Sequence, residues 1–187
     1  MNQFKRWVTA DPHFFHHNII AYCNRPFKNV EHMNRILIRN WNEVVMPEDH
    51  VYVVGDFSLK GPAHRDALES IVSRLNGTKH LILGNHDRLR AQDYQEIGFF
   101  SVHTSMVWNV HSSLHNVTSK VYMVHDPCSA QIPGSLWLCG HVHNLWDTFY
   151  NKDLDITVHN VGVDVHNFTP IDLDAVVEEL LPDFKIS

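Results

Sequence analysis

Five apolar runs of the chain are each followed directly by histidine, aspartate or asparagine side chains. The residues after the runs are Asp11-Pro12-His13, Gly55-Asp56, Gly84-Asn85-His86-Asp87, His125-Asp126 and Gly140-His141-Val142-His143. Short apolar runs of this kind predict buried strands, and sites in open α/β sheets form beyond the carboxyl ends of the strands. One such ending would mean little in a chain with 16 histidines. Five endings predict one crevice in which these polar side chains meet.

The first half of the chain predicts alternating strands and helices. Apolar runs predict strands at residues 4–10, 50–57 and 79–87, the last of which runs into a polar loop. Apolar residues at helical intervals predict helices at residues 30–45 and 61–77. This β-α-β-α-β order implies parallel strands joined by helical crossovers.

The second half predicts shorter strands in a more antiparallel arrangement. Strands are predicted at residues 100–111, 119–126 and 135–144, two strand pieces within residues 155–165, and a terminal helix at residues 172–181. The predicted fold class is therefore α/β, with two mixed β-sheets packed as a sandwich and helices outside. The length of 187 residues favours a single domain that spans residues 1–187.

Composition argues against several classes of protein. The formal net charge of −6 disfavours a long nucleic acid as partner, although a nucleotide is still compatible if metal ions bind. No stretch approaches the roughly 18 apolar residues of a membrane span, and the N-terminus lacks the apolar run of a signal peptide. Three separated cysteines, Cys23, Cys128 and Cys139, disfavour a disulfide framework and predict buried free thiols. We expect a soluble, cytoplasmic protein with no membrane partner.

The residue types after the five runs predict a site for two metal ions. The candidate ligands are Asp11, His13, Asp56, Asn85, His125, His141 and His143. Seven ligands are too many for one tetrahedral ion and suit two ions that share a bridging carboxylate. Nitrogen and oxygen donors without thiolates favour Mn²⁺ as the first choice, with Fe, Zn²⁺, Ni²⁺ or Co²⁺ as alternatives. Glycines before the ligands indicate sharp turns or close approach of the backbone.

These blocks resemble the motifs of the calcineurin-like metallophosphoesterase superfamily, whose pattern is DxH, GD, GNH[DE], a lone His and GHxH. All five blocks are present in order between residues 11 and 143. The small single-domain bacterial and phage members are the most similar, because their first block often continues as DxHFGHxNII and this chain has DPHFFHHNII. The chain departs from that pattern at Phe15, where glycine is frequent and where a positive φ would strain phenylalanine.

The resemblance implies a four-layer αββα fold and a particular division of the ligands. One ion would take Asp11, His13 and His143, the other would take Asn85, His125 and His141, and Asp56 would bridge them. The implied reaction is attack of a metal-bridging hydroxide on phosphorus, with His86 as the general acid and Asp87 orienting the His86 ring. Candidate substrate-binding residues are Arg25, His16 and Asn85, where Arg25 could bind phosphate bidentately.

The predicted function is hydrolysis of a small phosphorylated substrate, in particular a phosphodiester such as a nucleotide or cyclic nucleotide. One alternative is a nuclease of the same superfamily, and another is a non-catalytic scaffold that binds proteins through this fold. The apolar stretch at residues 99–110 also leaves a homo-oligomer open.

Overall fold

The computed structural model describes residues 4–112, 117–181 and 185–186. In these residues the strands are β1 (Arg6–Thr9), β2 (His50–Val54), β3 (Thr78–Ile82), β4 (Ser101–His103), β5 (Met106–Ser112), β6 (Val117–Met123), β7 (Ser135–Cys139), β8 (Thr148–Asn151), β9 (Ile156–Asn160), β10 (Ile171–Asp172) and β11 (Lys185–Ile186). The α-helices are α1 (Ile19–Tyr22), α2 (Val30–Val44), α3 (Arg65–Val72), α4 (Ala91–Glu96) and α5 (Leu173–Leu180).

The first half forms a sheet with the strand order β10-β1-β2-β3-β4. The strands β1 to β4 are parallel, which confirms the predicted β-α-β-α-β order, and β10 joins the edge in antiparallel orientation. Helix α2 begins where the Asn29 side chain accepts a hydrogen bond from the His32 backbone at 2.8 Å. Its buried residues Met33, Leu37 and Trp41 recur every four positions and turn one helical face toward the sheet.

The second half forms a sheet with the strand order β11-β5-β6-β7-β9-β8. Strands β5 and β6 make an antiparallel hairpin, and β8 is antiparallel to β9. The central pairs β6–β7 and β7–β9 are parallel, so the prediction of an antiparallel second half is only partly correct. Both sheets are mixed, as predicted.

Several element boundaries differ from the sequence-based prediction. The single strand predicted at residues 100–111 is two strands, because β4 pairs in the first sheet and β5 in the second. The helix predicted at residues 61–77 is a 3₁₀ turn at Pro62–His64 followed by α3. Of the two pieces predicted at residues 155–165, only β9 forms a strand, and Gly162 makes an isolated bridge to Ala10. Strand β8 and helix α4 were not predicted.

The two sheets pack face to face around one apolar core. Val8 and Ile82 of the first sheet lie in the same buried cluster as Val121 and Leu136 of the second. This arrangement confirms an α/β sandwich of two mixed sheets. Helix α5 contributes Val177 to the same cluster.

The outer faces of the two sheets are covered differently. Helices α1 to α4 cover the first sheet, where Trp41 and Leu68 belong to the buried cluster on that side. The second sheet packs its outer face against side chains of connecting segments, such as Trp146 and Leu154. Within the described residues, the second helical layer expected of a four-layer fold is therefore replaced by loops.

None of the helices in the described residues is both long and apolar enough to cross a membrane. All three cysteines are free, as predicted, but Cys128 is exposed whereas Cys23 and Cys139 are buried.

Candidate metal centre

The predicted crevice forms where the segments after β1, β2, β3, β6 and β7 meet. Beyond the strand ends, the Asp11 amide donates to the Gly55 carbonyl at 3.1 Å, and the His13 amide donates to the Asp56 carbonyl at 3.1 Å. The His141 amide, from the other sheet, donates to Asp11 Oδ2 at 2.9 Å. These bonds fasten loops of both sheets to one another, so the polar residues after five separate strands share one site.

Five of the seven predicted ligands have left-handed backbone conformations. These residues are Asp11 (φ 55°), His13 (φ 51°), Asp56 (φ 51°), His141 (φ 73°) and His143 (φ 50°). Left-handed conformations are uncommon in residues other than glycine and cost about 1–3 kcal/mol each where the surroundings enforce them. Their concentration here indicates that the loops are held for a purpose other than stability.

The first ligand group contains buried polar atoms without a protein partner. Asp11 Oδ1 and His13 Nε2 lie 3.8 Å apart, and neither has a hydrogen-bond partner among the described residues. His143 completes this group, since the three residues each offer a ligand atom within 4.8 Å of the others. Buried polar atoms are normally satisfied, because each one left unpaired costs about 1–3 kcal/mol. An ion between them would supply the missing partner.

The second ligand group is more compact than the first. Asn85 Oδ1 lies 3.1 Å from His125 Nε2 and 3.0 Å from His141 Nδ1, and the two histidine nitrogens are 3.3 Å apart. Metal–ligand bonds of about 2.0–2.2 Å place neighbouring ligand atoms about 3.0–3.5 Å apart in octahedral or tetrahedral geometry. The spacing of these three atoms therefore matches ligands of a single divalent ion.

Asp56 lies between the two groups. Its Oδ2 is 3.5 Å from His13 Nε2 in the first group and 3.4 Å from His125 Nε2 in the second. Its Oδ1 accepts a hydrogen bond from the His86 backbone at 2.8 Å. A Cβ atom on Gly84 would overlap Asp56 Oδ1, which explains the glycine at that position and agrees with the predicted close approach. The carboxylate therefore lies within reach of both ligand groups.

The carboxylates of the site attract positive charge. Although burial works against it, hydrogen bonding to Asp56 raises the pKa of His125 to about 9. Burial likewise opposes ionisation of His143, but its hydrogen bond to Asp164 raises the pKa to about 10. Burial raises the pKa of Asp11 to about 6 and lowers that of His13 to about 2. A divalent cation would displace protons from these groups, as metal ligands require.

Arg25 supports the centre from behind, which does not favour its predicted role in binding substrate. The side chain is buried, and its guanidinium donates two hydrogen bonds to the Asp164 carboxylate, each of 2.7 Å. It also donates to the carbonyls of Asp11 at 2.8 Å and Pro12 at 3.1 Å. The Asp164 carboxylate also lies 3.2 Å from Nδ1 of the candidate ligand His143. A carboxylate in this position orients a metal-ligating imidazole.

The two predicted catalytic residues, His86 and Asp87, have different surroundings. His86 is partly exposed at 31%, and its Nε2 is 4.0 Å from Asp56 Oδ2, so the ring faces the centre. Asp87 does not orient that ring: Nδ1 of His86 has no hydrogen-bond partner among the described residues. Instead Asp87 accepts from the backbone amides of Phe57 at 3.0 Å and Gly84 at 2.9 Å, and from the Tyr94 hydroxyl at 3.3 Å. Asp87 therefore fastens loops together, and the orienting role predicted for it is wrong.

The remaining residues of the first motif block differ in burial, contacts and backbone conformation. His16 is buried, and its Nδ1 lies 3.2 Å from Nδ1 of His13, so it packs behind that candidate ligand. The centroid of its ring lies 6.0 Å from that of His86. His17 is exposed. Phe15 has a φ of 66°, so the loop keeps the left-handed conformation in spite of its phenylalanine. The Asn34 side chain stabilises that turn by accepting from the Phe15 amide at 3.2 Å.

Fold and site together define an α/β sandwich protein with a candidate two-metal centre at the joined edges of its sheets. No family model matches the chain. An uncharacterized protein of Methanocaldococcus jannaschii, MJ1445, is 35% identical over 183 residues, which cover 95% of this chain and 92% of that protein. The chain therefore belongs to the same family as MJ1445.

Two phage proteins and one crystal structure are also similar to this chain. The gene 66 proteins of Mycobacterium phages D29 and L5 are 40% and 39% identical over 83 and 84 residues, which cover only 40% and 39% of their own lengths. The crystal structure of AQ665, a protein of unknown function from Aquifex aeolicus, has a TM-score of 0.68 and covers 95% of this chain and 100% of that one. At 22% identity this likeness shows the fold alone.

Proposed function

We propose that the protein is a two-metal phosphoesterase that hydrolyses a small phosphodiester, such as a nucleotide or cyclic nucleotide. The observation that carries this proposal is the pair of unpartnered buried atoms, Asp11 Oδ1 and His13 Nε2, beside a carboxylate shared with a second ligand group. Buried polar atoms are rarely left unsatisfied, so this pair supports a bound ion, and the shared carboxylate supports a second one beside it. The ordered motifs resemble those of calcineurin-like metallophosphoesterases and support the same proposal. The four-layer fold of that superfamily would then be the architecture from which this one derives, with loops in place of one helical layer.

The donor set fits two divalent ions. Asp11, His13 and His143 would hold one ion, Asn85, His125 and His141 the other, and Asp56 both. All seven offer imidazole nitrogen, carboxylate oxygen or amide oxygen, which suits Mn²⁺ and its neighbours in the first transition row. The closest thiol-bearing candidate, Cys23, groups only with His143 and Asp164 behind the first ligand group.

Each residue then has a definite task in hydrolysis. Two ions about 3.5–4 Å apart, when bound, activate water and neutralise charge on phosphoryl oxygens. Asp56 keeps the two ligand groups in register, and Arg25 with Asp164 keeps His143 aimed. His86, partly open to solvent and facing the centre, donates a proton to the departing oxygen. His16 supports His13 and lines the same side as His86.

A cleft beside the second ligand group indicates the kind of substrate. It has a volume of about 340 Å³, which suits a small ligand, and it is lined in part by Asn85, Thr104, Asp126 and His141. The Asp126 carboxylate accepts a hydrogen bond from the Cys128 amide at 2.9 Å, and this lowers its pKa. A negative charge in the cleft repels further phosphates and accepts from hydroxyl groups. It therefore favours a diester with a neutral sugar-like group over a polyphosphate.

The test is a comparison of substrates with the purified protein after loading with Mn²⁺. We expect hydrolysis of bis-p-nitrophenyl phosphate or a cyclic nucleotide that is abolished by a chelator and restored by Mn²⁺. Single-stranded DNA serves as the substrate of the nuclease alternative. His111→Ala is a suitable control, because this exposed histidine on β5 belongs to neither ligand group. A protein that retains two ions but hydrolyses no phosphate ester, mono-, di- or cyclic, would refute the proposal.

A further inference from the structure

A further group of side chains that could bind a metal lies outside the candidate centre and its two ligand groups. Asp147 directly precedes β8, His159 belongs to β9, and His166 lies in the segment that follows it. Each offers one ligand atom, and the three atoms lie within 4.8 Å of one another. None of these residues is a ligand of the two-metal centre.

The hydrogen bonds of this group leave a nitrogen lone pair of His166 free for a ligand. His166 Nε2 lies 2.7 Å from the Asn160 carbonyl, which can only accept, so Nε2 carries the proton and Nδ1 keeps its lone pair. A ligating histidine typically donates its other N–H to a carbonyl in this way. His159 faces His166 with ring centroids 5.4 Å apart. Its Nδ1 is 2.8 Å from the Thr148 hydroxyl and 3.5 Å from Asp147 Oδ1.

The charge of the group also suits a cation. Burial, and then the neighbouring His166, lowers the pKa of His159, so this ring is neutral at neutral pH as a ligand must be. The Asp147 side chain is 63% exposed, so it brings a negative charge and leaves room for water. Two imidazoles, one carboxylate and a water make up a common ligand set of Zn²⁺.

We propose that Asp147, His159 and His166 form a third metal site, which binds Zn²⁺ independently of the two-metal centre. Three protein ligands and one open position suit four-coordinate Zn²⁺, whereas each ion of the two-metal centre would have four protein ligands before water is counted. This inference does not rest on the proposed function.

The site is placed to hold the segment that presents the ligand His143. Asn160 donates from its side chain to the carbonyls of His143 at 2.7 Å and Trp146 at 2.8 Å, and its amide donates to the Asp147 carbonyl at 2.8 Å. The Asn160 carbonyl in turn accepts from His166. An ion bound by Asp147 and His166 therefore fixes both the end of this segment and the residue to which it is bonded.

The experiment measures zinc bound per chain after loading with Zn²⁺ and removal of the excess by gel filtration. We expect His166→Ala to hold one ion fewer than the wild type, whereas His111→Ala, at an exposed histidine on β5, holds the same number. A double variant that disables the two-metal centre, Asp56→Asn/His125→Ala, should retain the ion at the third site.

A second variant covers the case in which His166→Ala fails to fold. Asp147→Asn changes an exposed side chain, and losing this ligand should weaken zinc binding in competition with a chelator by at least roughly 10–100-fold. Asp153→Asn, at an exposed aspartate nearby, should leave that affinity unchanged. Unchanged zinc content and affinity in Asp147→Asn, or loss of all zinc from the double variant, would overturn the third site. Absence of the two-metal centre would leave a different pattern, in which the wild type holds the third ion alone, and absence of catalysis at an occupied centre would leave the zinc count unchanged.

Discussion

Two histidine-rich regions of this molecule show how the same residue type acquires opposite roles. In the first sheet, His80 has both ring nitrogens engaged, with Ser101 Oγ at 2.8 Å and His50 Nδ1 at 3.0 Å. At the candidate centre, the His13 ring has one nitrogen near His16, and its Nε2 has no partner among the described residues. A histidine therefore indicates a ligand site when one of its buried nitrogens is left unsatisfied, and burial alone does not.

The two regions also respond differently to protons. Burial, together with the nearby His50 and His103, lowers the pKa of His80 to about 4. At the centre, carboxylates overcome burial and raise the pKa of His125 to about 9. His80 therefore excludes a proton, whereas His125 and His143 attract one, although burial keeps His13 at the same centre neutral. The following substitutions test this contrast.

The largest effect is expected from Asp56→Asn. Because one Oδ2 atom serves both ligand groups, its replacement by an amide should reduce retention of both ions and lower turnover by more than loss of a general acid would, at least about 10⁴-fold. The measurement is metal content by mass spectrometry alongside bis-p-nitrophenyl phosphate hydrolysis. His80→Gln is the matched change in the other region and should retain full metal content. Equal metal content in both variants would abolish the distinction between the regions.

His86→Ala should affect turnover without affecting metal content. The His86 ring faces the centre but belongs to neither ligand group. Its removal should therefore lower the rate on substrates with poor leaving groups by about 10²–10⁴-fold. A p-nitrophenyl ester, whose leaving group needs little protonation, should lose much less. Full activity on a cyclic nucleotide would contradict the role of His86 as an acid.

Arg25→Lys tests whether the buried arginine supports the centre or binds substrate. Lysine cannot reproduce the paired hydrogen bonds to Asp164, so we expect the free energy of unfolding to fall by about 2–3 kcal/mol. Urea denaturation measures this, and Arg39→Lys, at an exposed arginine on α2, provides the control. An unchanged unfolding free energy combined with a raised KM would restore the substrate-binding interpretation.

His80, whose two ring nitrogens both have hydrogen-bond partners, should make the metal-free protein sensitive to acid. The folded-state pKa of His80, about 4, lies below the ordinary value of 6.5, so the unfolded chain binds more protons between these values. The stability contributed by neutral His80 is thus present above pH 6.5 and is lost as the pH falls toward 4. In the presence of a chelator, His80→Gln should lose about 1–2 kcal/mol less stability than the wild type over this range. An acid loss equal to that of the wild type would show that His80 titrates normally.

The smallest effect is expected at Phe15, which lies in a left-handed turn of the candidate centre. The strands around His80 are extended and contain no such turn. Phe15→Gly should be more stable than Phe15→Ala by about 1 kcal/mol, because only glycine adopts a φ of 66° without strain. At the exposed Phe149 of β8 the order should reverse, since glycine weakens a strand. Thermal unfolding of the four variants compares the two positions, and the same order at both would argue against strain in the loop.

The features that depend on local pattern could be predicted from the sequence. The apolar runs located the strand ends, and the residues after them, from Asp11 to His143, do meet at one edge. The glycine at position 84 was expected for close approach, and Asp56 Oδ1 fills the space that its Cβ would take.

The features that depend on distant contacts could not be predicted. The partner of Arg25 is Asp164, 139 residues away, and nothing near either residue indicates that pairing. The stretch at residues 100–111 has no glycine or proline at the point where the chain passes from one sheet to the other, and only the short polar run at residues 103–105 marks that point. Asp87 was assigned to its sequence neighbour His86, whereas its donors include Phe57, 30 positions earlier. Loop neighbours in space are set by the sheet order, which the local pattern does not specify.

The left-handed backbone of the ligands has a consequence for the amount of protein that a cell maintains. Under the proposed function, these residues weaken the metal-free chain, and bound ions restore its stability because they bind the folded state alone. Degradation acts on the population that opens, so the metal-free form is the one that proteases remove first. The abundance of this protein would then follow the supply of its metal, even where its synthesis is constant.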